Sequence, residues 1–183
     1  MKNKSNAFWL VSSIALATAA LWGAVSELSG VMGVSTVCGI ALIIFGVVSI
    51  LAAFTYGIKS NGSGWLLMEG IVSFCVGLAY MFSYVDYSLF TVDLVLIMGL
   101  WLMFLGISQT VRMNKKSKSF GRFLAVAAGV LAVLGGLSLY IKPVAELLAF
   151  AKGGVLQVYS VTFQFVLATL LVLSRLAIKD AKK

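Results

Sequence analysis

Six apolar stretches, each long enough to cross a lipid bilayer, constrain the fold of this chain more than any other feature. A bilayer core of about 30 Å requires about 20 mostly apolar residues per helix. The six predicted spans are Ala7–Ser26, Gly33–Tyr56, Trp65–Val85, Ser88–Val111, Gly121–Ile141 and Gly153–Ser174. Apolar residues make up 61% of the chain and charged residues 11%, against about 45–50% and 25% in an average soluble domain. We therefore expect an all-α integral membrane protein, with residues 1–183 forming a single membrane domain.

Basic residues are concentrated on one side of the predicted spans. Twelve of the fourteen Lys and Arg residues flank that side, and Lys142 and Lys152 flank the other. Because Lys and Arg favour cytoplasmic loops, we expect both termini in the cytoplasm of a multi-pass plasma-membrane protein, in the inner membrane of a bacterium or archaeon. The net charge of +8 therefore indicates topology. No basic segment is long enough to form a nucleic-acid-binding fold, so we expect no nucleic-acid partner.

The N-terminal segment has two readings. Lys2 and Lys4, followed by an apolar run and Ala17-Thr18-Ala19, are similar to a cleavable signal peptide. The apolar run continues through Trp22 without a polar region before the cleavage position, which favours a retained membrane helix. The remaining spans have the same orientation in both readings.

Glycines recur in pairs seven residues apart in four of the spans. The pairs are Gly39 and Gly46, Gly70 and Gly77, Gly99 and Gly106, and Gly129 and Gly136. Seven residues are nearly two helical turns, so each pair lies on one helix face. Small residues let helix backbones approach closely in lipid, so we expect these faces to be helix–helix packing surfaces.

The sequence around the glycines also repeats. GIALIIFGVVSIL in the second span aligns with GLWLMFLGISQTV in the fourth, 60 residues later, and GIVSFCVGLAYMF in the third aligns with GVLAVLGGLSLYI in the fifth. The pattern predicts a helical hairpin of about 60 residues used three times, over approximately residues 7–57, 65–111 and 121–176. The first and sixth spans lack the glycine pair.

The glycine motifs resemble the short repeat of the HdeD-like acid-resistance membrane proteins. The residues that carry the resemblance are Gly64-Trp65, Gly70-Ile71, Gly77, Gly99-Leu100, Gly106-Ile107 and the step from Gly136 to Pro143. The first two hairpins lack the proline and the last helix lacks both glycines. The resemblance implies a six-helix inner-membrane protein linked to survival in acid, with no catalytic residue or ligand to carry over.

Two acidic residues lie within the predicted spans, where an ionisable side chain is by default a functional hypothesis. Glu69 is near the cytoplasmic end of the third span, and Arg175 closes the sixth span on the same side, so the two can pair. Asp93 is near the outer end of the fourth span, where Lys152 can pair with it. For each acid, solvation at the membrane interface is the simpler alternative.

The sixth span carries a polar stripe. Gln157, Ser160 and Gln164 are spaced three and four residues apart and so share one helix face. The stripe is interpreted either as hydrogen-bonding contacts between helices or as the lining of a cleft.

Other polar and aromatic groups point to the membrane surface. The basic run Arg112, Lys115, Lys116 and Lys118 should attract anionic lipid, by about 1 kcal/mol per residue. Trp9 and Trp65 fit the aromatic belt at the cytoplasmic interface.

Motifs of enzymes and cofactor sites are absent from the sequence. The chain has no histidine and no P-loop, GxSxG or HExxH motif, so we expect no catalytic residue, metal or cofactor.

The sequence supports three hypotheses about function. The chain is a non-enzymatic HdeD-like protein that supports acid or envelope stress tolerance, a small transporter or channel for a proton, ion or solute, or an accessory subunit of a membrane complex. Beyond the lipid bilayer, the partner would be a second copy of the chain or another membrane protein.

Overall fold

The computed structural model describes residues 2–29, 34–56, 63–82, 91–114, 120–138, 140 and 156–176. Side chains are described for residues 7–25, 36–55, 63–82, 97–112, 120–138, 140 and 162–176. These residues form six helices: α1 (Lys2–Ser29), α2 (Val34–Tyr56), α3 (Ser63–Phe82), α4 (Thr91–Asn114), α5 (Phe120–Ser138) and α6 (Leu156–Leu176). The prediction of an all-α chain with six helices is confirmed for this part of the molecule.

The helices are those of a membrane protein. Four of them contain stretches long and apolar enough to span a bilayer: Ala7–Val25, Thr36–Thr55, Ser63–Phe82 and Phe120–Ser138. Within α4 and α6 the described apolar stretches, Ile97–Arg112 and Thr162–Leu176, are shorter. Every helix also exposes large apolar side chains, among them Leu21, Phe54, Phe82, Leu100, Phe123 and Leu170. An outward apolar surface of this extent suits lipid rather than water.

The helices close into a ring in which each packs against its two neighbours in the chain, and α6 returns to α1. The most extensive packing joins α2 with α3, α4 with α5, and α1 with α6, and α4 also contacts α6. The predicted repeats instead group α1 with α2, α3 with α4 and α5 with α6, so the closest packing crosses the boundaries drawn from sequence. Those boundaries stay a prediction about the repeat.

Paired glycines bring the most closely packed helices together. Across α2 and α3, Gly39 faces Gly77 and Gly46 faces Gly70, and across α4 and α5, Gly99 faces Gly136 and Gly106 faces Gly129. A Cβ on Gly46 would lie 2.8 Å from the Gly70 carbonyl oxygen, and a Cβ on Gly136 would lie 2.5 Å from the Gly99 carbonyl oxygen. In each helix pair the earlier glycine of one helix faces the later glycine of the other, so both helix pairs are antiparallel. Side chains larger than hydrogen would force these backbones apart.

Aromatic rings fill the middle of the ring of helices. Trp101 of α4 meets Phe45 of α2 edge-on, with 6.1 Å between ring centroids, and lies 6.3 Å from the ring of Phe165 of α6. All three side chains are buried. The interior at this level is therefore a packed apolar core, and the polar site described next lies toward the end of the bundle where α3 begins.

Candidate functional site

Glu69 is buried on the inward face of α3. Its side chain has no exposed surface, and it lies six residues after the start of the helix, about 9 Å along the axis. It shares its face with Leu66 and Ser73 at helical spacing, and both are buried. The same periodicity that packs the apolar residues therefore places a carboxylate inside the bundle.

Two arginines from other helices meet this carboxylate. Arg175 of α6 places Nη2 2.9 Å from Glu69 Oε2, and Arg112 of α4 places Nη2 3.5 Å from Oε1. Ser108, one turn before Arg112, donates its hydroxyl to Oε1 at 2.5 Å. Both arginines lie in the last turn of their helices, where a cation is favoured by the helix dipole. We call Glu69, Arg112 and Arg175 the ion cluster.

Gln109 links the ion cluster to the neighbouring helix ends. Its Oε1 accepts a hydrogen bond from Arg175 Nε at 2.6 Å. Its Nε2 donates to Ser174 Oγ at 2.7 Å, to the Leu171 carbonyl at 3.3 Å and to the Ala125 carbonyl at 3.2 Å. Because these partners lie on α5 and α6, this one amide joins three helices.

Two tryptophans extend the network. The Arg175 guanidinium lies over the Trp9 ring of α1, 4.8 Å from its centroid. Trp101 donates its indole N–H to Ser73 Oγ at 2.7 Å, and Ser73 in turn donates to the Glu69 carbonyl at 2.6 Å. Trp9 is only 6% exposed, so the prediction that it belongs to the lipid-facing belt is wrong for this ring. A flat apolar face beside a guanidinium is favoured in the interior.

Among the described side chains, the ion cluster contains more positive than negative charge. It sets two guanidiniums against one carboxylate among the described residues, and burial makes such an excess costly unless further partners are present. Within the described part of the chain, no three carboxylate or thiol side chains come together. The electrostatics disfavour a cation at this position and favour an anion.

The structure brings together some of the predicted site residues. Glu69 and Arg175 form the closer of the two ion pairs found among the described residues. Gln164 is fully buried on α6, eleven residues before Arg175, or about 16 Å along the helix. Asp93 lies in the first turn of α4, about 22 Å along that helix from Ser108. The side chains of Asp93, Gln157 and Ser160 lie outside the described residues, as does Lys152.

Arg112 is the one member of the predicted basic run whose side chain the structure describes, and the predicted attraction of anionic lipid to this run stays a prediction. Its side chain is 10% exposed and its guanidinium approaches Glu69, because the last turn of α4 presents this position to the inside of the bundle. The other members of the basic run, Lys115, Lys116 and Lys118, lie outside the described residues.

Four residues of the ion cluster and the hydrogen-bond network around it were not predicted from sequence. They are Ser108, Gln109, Trp101 and Arg112. The signal was available in the segment ISQTVR, where Ser108 and Arg112 are four residues apart and so share a face. Polar residues near the end of a span are also typical of an interface, which is why the pattern alone did not assign them to the interior.

A family model for a short repeat of unknown function (DUF308) matches the chain twice, over residues 11–82 and 85–141. The chain belongs to the DUF308 family. The first match covers most of α1 together with α2 and α3, and the second covers α4 and α5, so the DUF308 chain contains an internal repeat. No curated protein and no solved structure matches it. The family description assigns no activity, and the function is therefore argued from the site.

Proposed function

We propose that this DUF308 chain is a non-enzymatic protein of the HdeD-like type that supports tolerance of acid or envelope stress. In this proposal all six helices cross the plasma membrane, with both termini in the cytoplasm and the ion cluster at the cytoplasmic end. The unequal distribution of basic residues, twelve against two, supports this orientation. The glycine motifs, which resemble those of the HdeD-like proteins, support the proposal that the chain is of the HdeD-like type.

One observation carries the non-enzymatic part of the proposal: the carboxylate of Glu69 and the amide of Gln109 are both held by other protein groups. Glu69 contacts Arg112 and Ser108 of α4 and Arg175 of α6. The amide oxygen and the amide nitrogen of Gln109 are likewise both hydrogen-bonded to protein groups. Such a network fixes helix ends relative to one another, whereas an acid–base catalyst needs a group free to reach a substrate.

The function is tested by acid challenge of cells with and without the gene. Intracellular pH and survival are followed after a drop to acidic medium, with the deletion complemented by wild type, Glu69→Gln or Asp93→Asn at matched membrane levels. The proposal predicts faster acidification in the deletion, rescue by wild type and by Asp93→Asn, and failure of Glu69→Gln. If pH and survival in the deletion strain match wild type throughout, the stress role is refuted.

Transport of a proton, ion or small solute is the second candidate. The observation that favours it is the placement of an ion cluster and of the buried Gln164 within membrane-type helices, since intramembrane polar groups often mark a pathway. A pathway requires polar groups at both ends of the bundle, so Asp93→Asn should then impair the cells as much as Glu69→Gln. Flux into proteoliposomes should also fall with Gln164→Ala at unchanged stability. A loss of stability without a change in flux would assign Gln164 to helix packing.

A further inference from the structure

We propose that Arg112 forms a binding site for an oxyanion, with the phosphate group of an anionic phospholipid or free phosphate as the ligand. This inference goes beyond the stress role and does not depend on it. It begins from two nitrogens of the Arg112 side chain, Nε and Nη2. Both are buried, and neither has a hydrogen-bond acceptor within the part of the chain that the structure describes.

These two nitrogens form one edge of the guanidinium. That edge presents two parallel N–H groups, which match two oxygens of a single phosphate or carboxylate. Glu69 Oε1 lies 3.5 Å from Nη2, which is too long for a strong charge-assisted hydrogen bond. Buried donors are nearly always satisfied, so this edge calls for a further acceptor.

The local charge determines the kind of acceptor. Glu69 is already held by Arg175 at 2.9 Å and by the Ser108 hydroxyl, so among the described side chains one carboxylate lies beside two guanidiniums. Arg112 is the more distant of the two, and its charge is the less well compensated by Glu69. A water molecule would satisfy the donors but leave that charge uncompensated, whereas an oxyanion would satisfy both.

The position of Arg112 indicates the direction of access. Its side chain is 10% exposed, compared with 3% for Arg175, so Arg112 lies at the outer edge of the ion cluster. It is in the last turn of α4, at the end of the bundle. A phosphate approaching from the membrane interface therefore meets the Arg112 side chain before the rest of the cluster, and it reaches the buried Nε and Nη2 edge once the groups that cover these two atoms move.

The test compares ligands and variants of the full chain purified in a neutral detergent. Native mass spectrometry measures bound phosphatidylglycerol against phosphatidylcholine, and thermal unfolding is measured with increasing inorganic phosphate. We expect one phosphatidylglycerol bound at least tenfold more tightly than phosphatidylcholine, a ratio expected for one charge-assisted contact. Stabilisation by inorganic phosphate, without a preference for phosphatidylglycerol, would identify free phosphate as the ligand. If phosphatidylglycerol binds no more tightly than phosphatidylcholine and inorganic phosphate does not raise the unfolding temperature, the site does not exist.

Three variants separate a built site from general attraction to basic residues. Arg112→Gln should remove the preference, and Arg112→Lys, which keeps the charge but loses the two-donor edge, should remove most of it. Lys115→Gln is the matched control, since it removes one charge from the adjacent basic run and should leave the preference intact. An equal loss in Lys115→Gln, or full retention in Arg112→Lys, would overturn the proposal.

Glu69→Gln should raise the affinity for the oxyanion, whereas the Arg112 variants lower it. A gain of affinity cannot be explained by misfolding. With the competing carboxylate neutralised, the oxyanion should bind more tightly to Arg112 in the protein that remains monodisperse on size exclusion. Weaker binding in that fraction would mean that the ion cluster serves structure alone.

Discussion

Gly46→Ala is predicted to weaken the contact between α2 and α3. A Cβ at this position would lie 2.7 Å from the Phe74 backbone nitrogen and 2.8 Å from the Gly70 carbonyl oxygen. Both neighbours are backbone atoms, so no side-chain rotation can relieve the clash. The two helices must separate locally by about 0.7 Å to reach an ordinary contact of 3.4 Å.

The expected cost follows from two opposing terms. Overpacking of a close contact costs about 1–3 kcal/mol, and this clash belongs at the upper end because the backbone cannot yield. Alanine recovers up to about 1 kcal/mol through its higher helix propensity. The net loss in the free energy of unfolding is therefore about 2 kcal/mol.

Gly64→Ala is the matched control on α3. A Cβ on Gly64 would have no atom within 4 Å, so only the propensity term applies and stability should be unchanged or rise by up to about 1 kcal/mol. The assay is reversible unfolding in mixed micelles of a neutral and a denaturing detergent, followed by circular dichroism. Equal stability of Gly46→Ala and wild type, or an equal loss in Gly64→Ala, would refute the packing argument.

Three further substitutions address the network around the ion cluster, each measured in the same unfolding assay. Trp9→Leu removes the ring over Arg175 and should cost about 2 kcal/mol, since a desolvated cation–π contact is of that size; an unchanged midpoint would mean that the contact contributes nothing. Trp101→Phe retains most of the core volume but removes the hydrogen bond to Ser73, with an expected loss of about 1 kcal/mol; a loss above about 3 kcal/mol would indicate repacking instead. Gln109→Leu leaves Arg175 Nε without its acceptor and should cost about 2–3 kcal/mol, so a stabilised variant would contradict the structure.

Much of the scaffold could be predicted because its causes are local in sequence. Apolar length identified six helices, and their bounds differ from the predicted spans by a few residues. Glycine spacing indicated the packing faces, since only a face free of side chains permits backbone contact. Sequence did not indicate that α2 packs most extensively with α3, because the period of a repeat does not fix which neighbour is closest.

The site was only partly predictable, because charge at the end of a span has two physical explanations. Glu69 and Arg175 were placed at the same end by topology, and the structure brings them within 2.9 Å. Arg112 lies at a comparable position in its own helix, yet it was assigned to the lipid surface along with Lys115. A Lys or Arg near a helix end satisfies the positive-inside pattern whichever way its side chain points. The direction of the Arg112 side chain depends on how α4 is rotated about its own axis, and that rotation is set by the packing of α4 against the other helices.

A double-mutant cycle on Glu69 and Arg175 tests the central claim, that the ion cluster ties the helix ends together. Glu69→Gln and Arg175→Gln are measured singly and together in the unfolding assay. Glu69→Gln leaves both guanidiniums without their carboxylate and should cost about 3–5 kcal/mol. Arg175→Gln should cost less, since Glu69 keeps Arg112 at 3.5 Å and the Ser108 hydroxyl. The double variant removes the closer ion pair and leaves Arg112, and it should cost less than the sum of the two single changes, with a coupling of about 1–3 kcal/mol. Additive losses, or single changes that leave stability unaltered, would contradict the account.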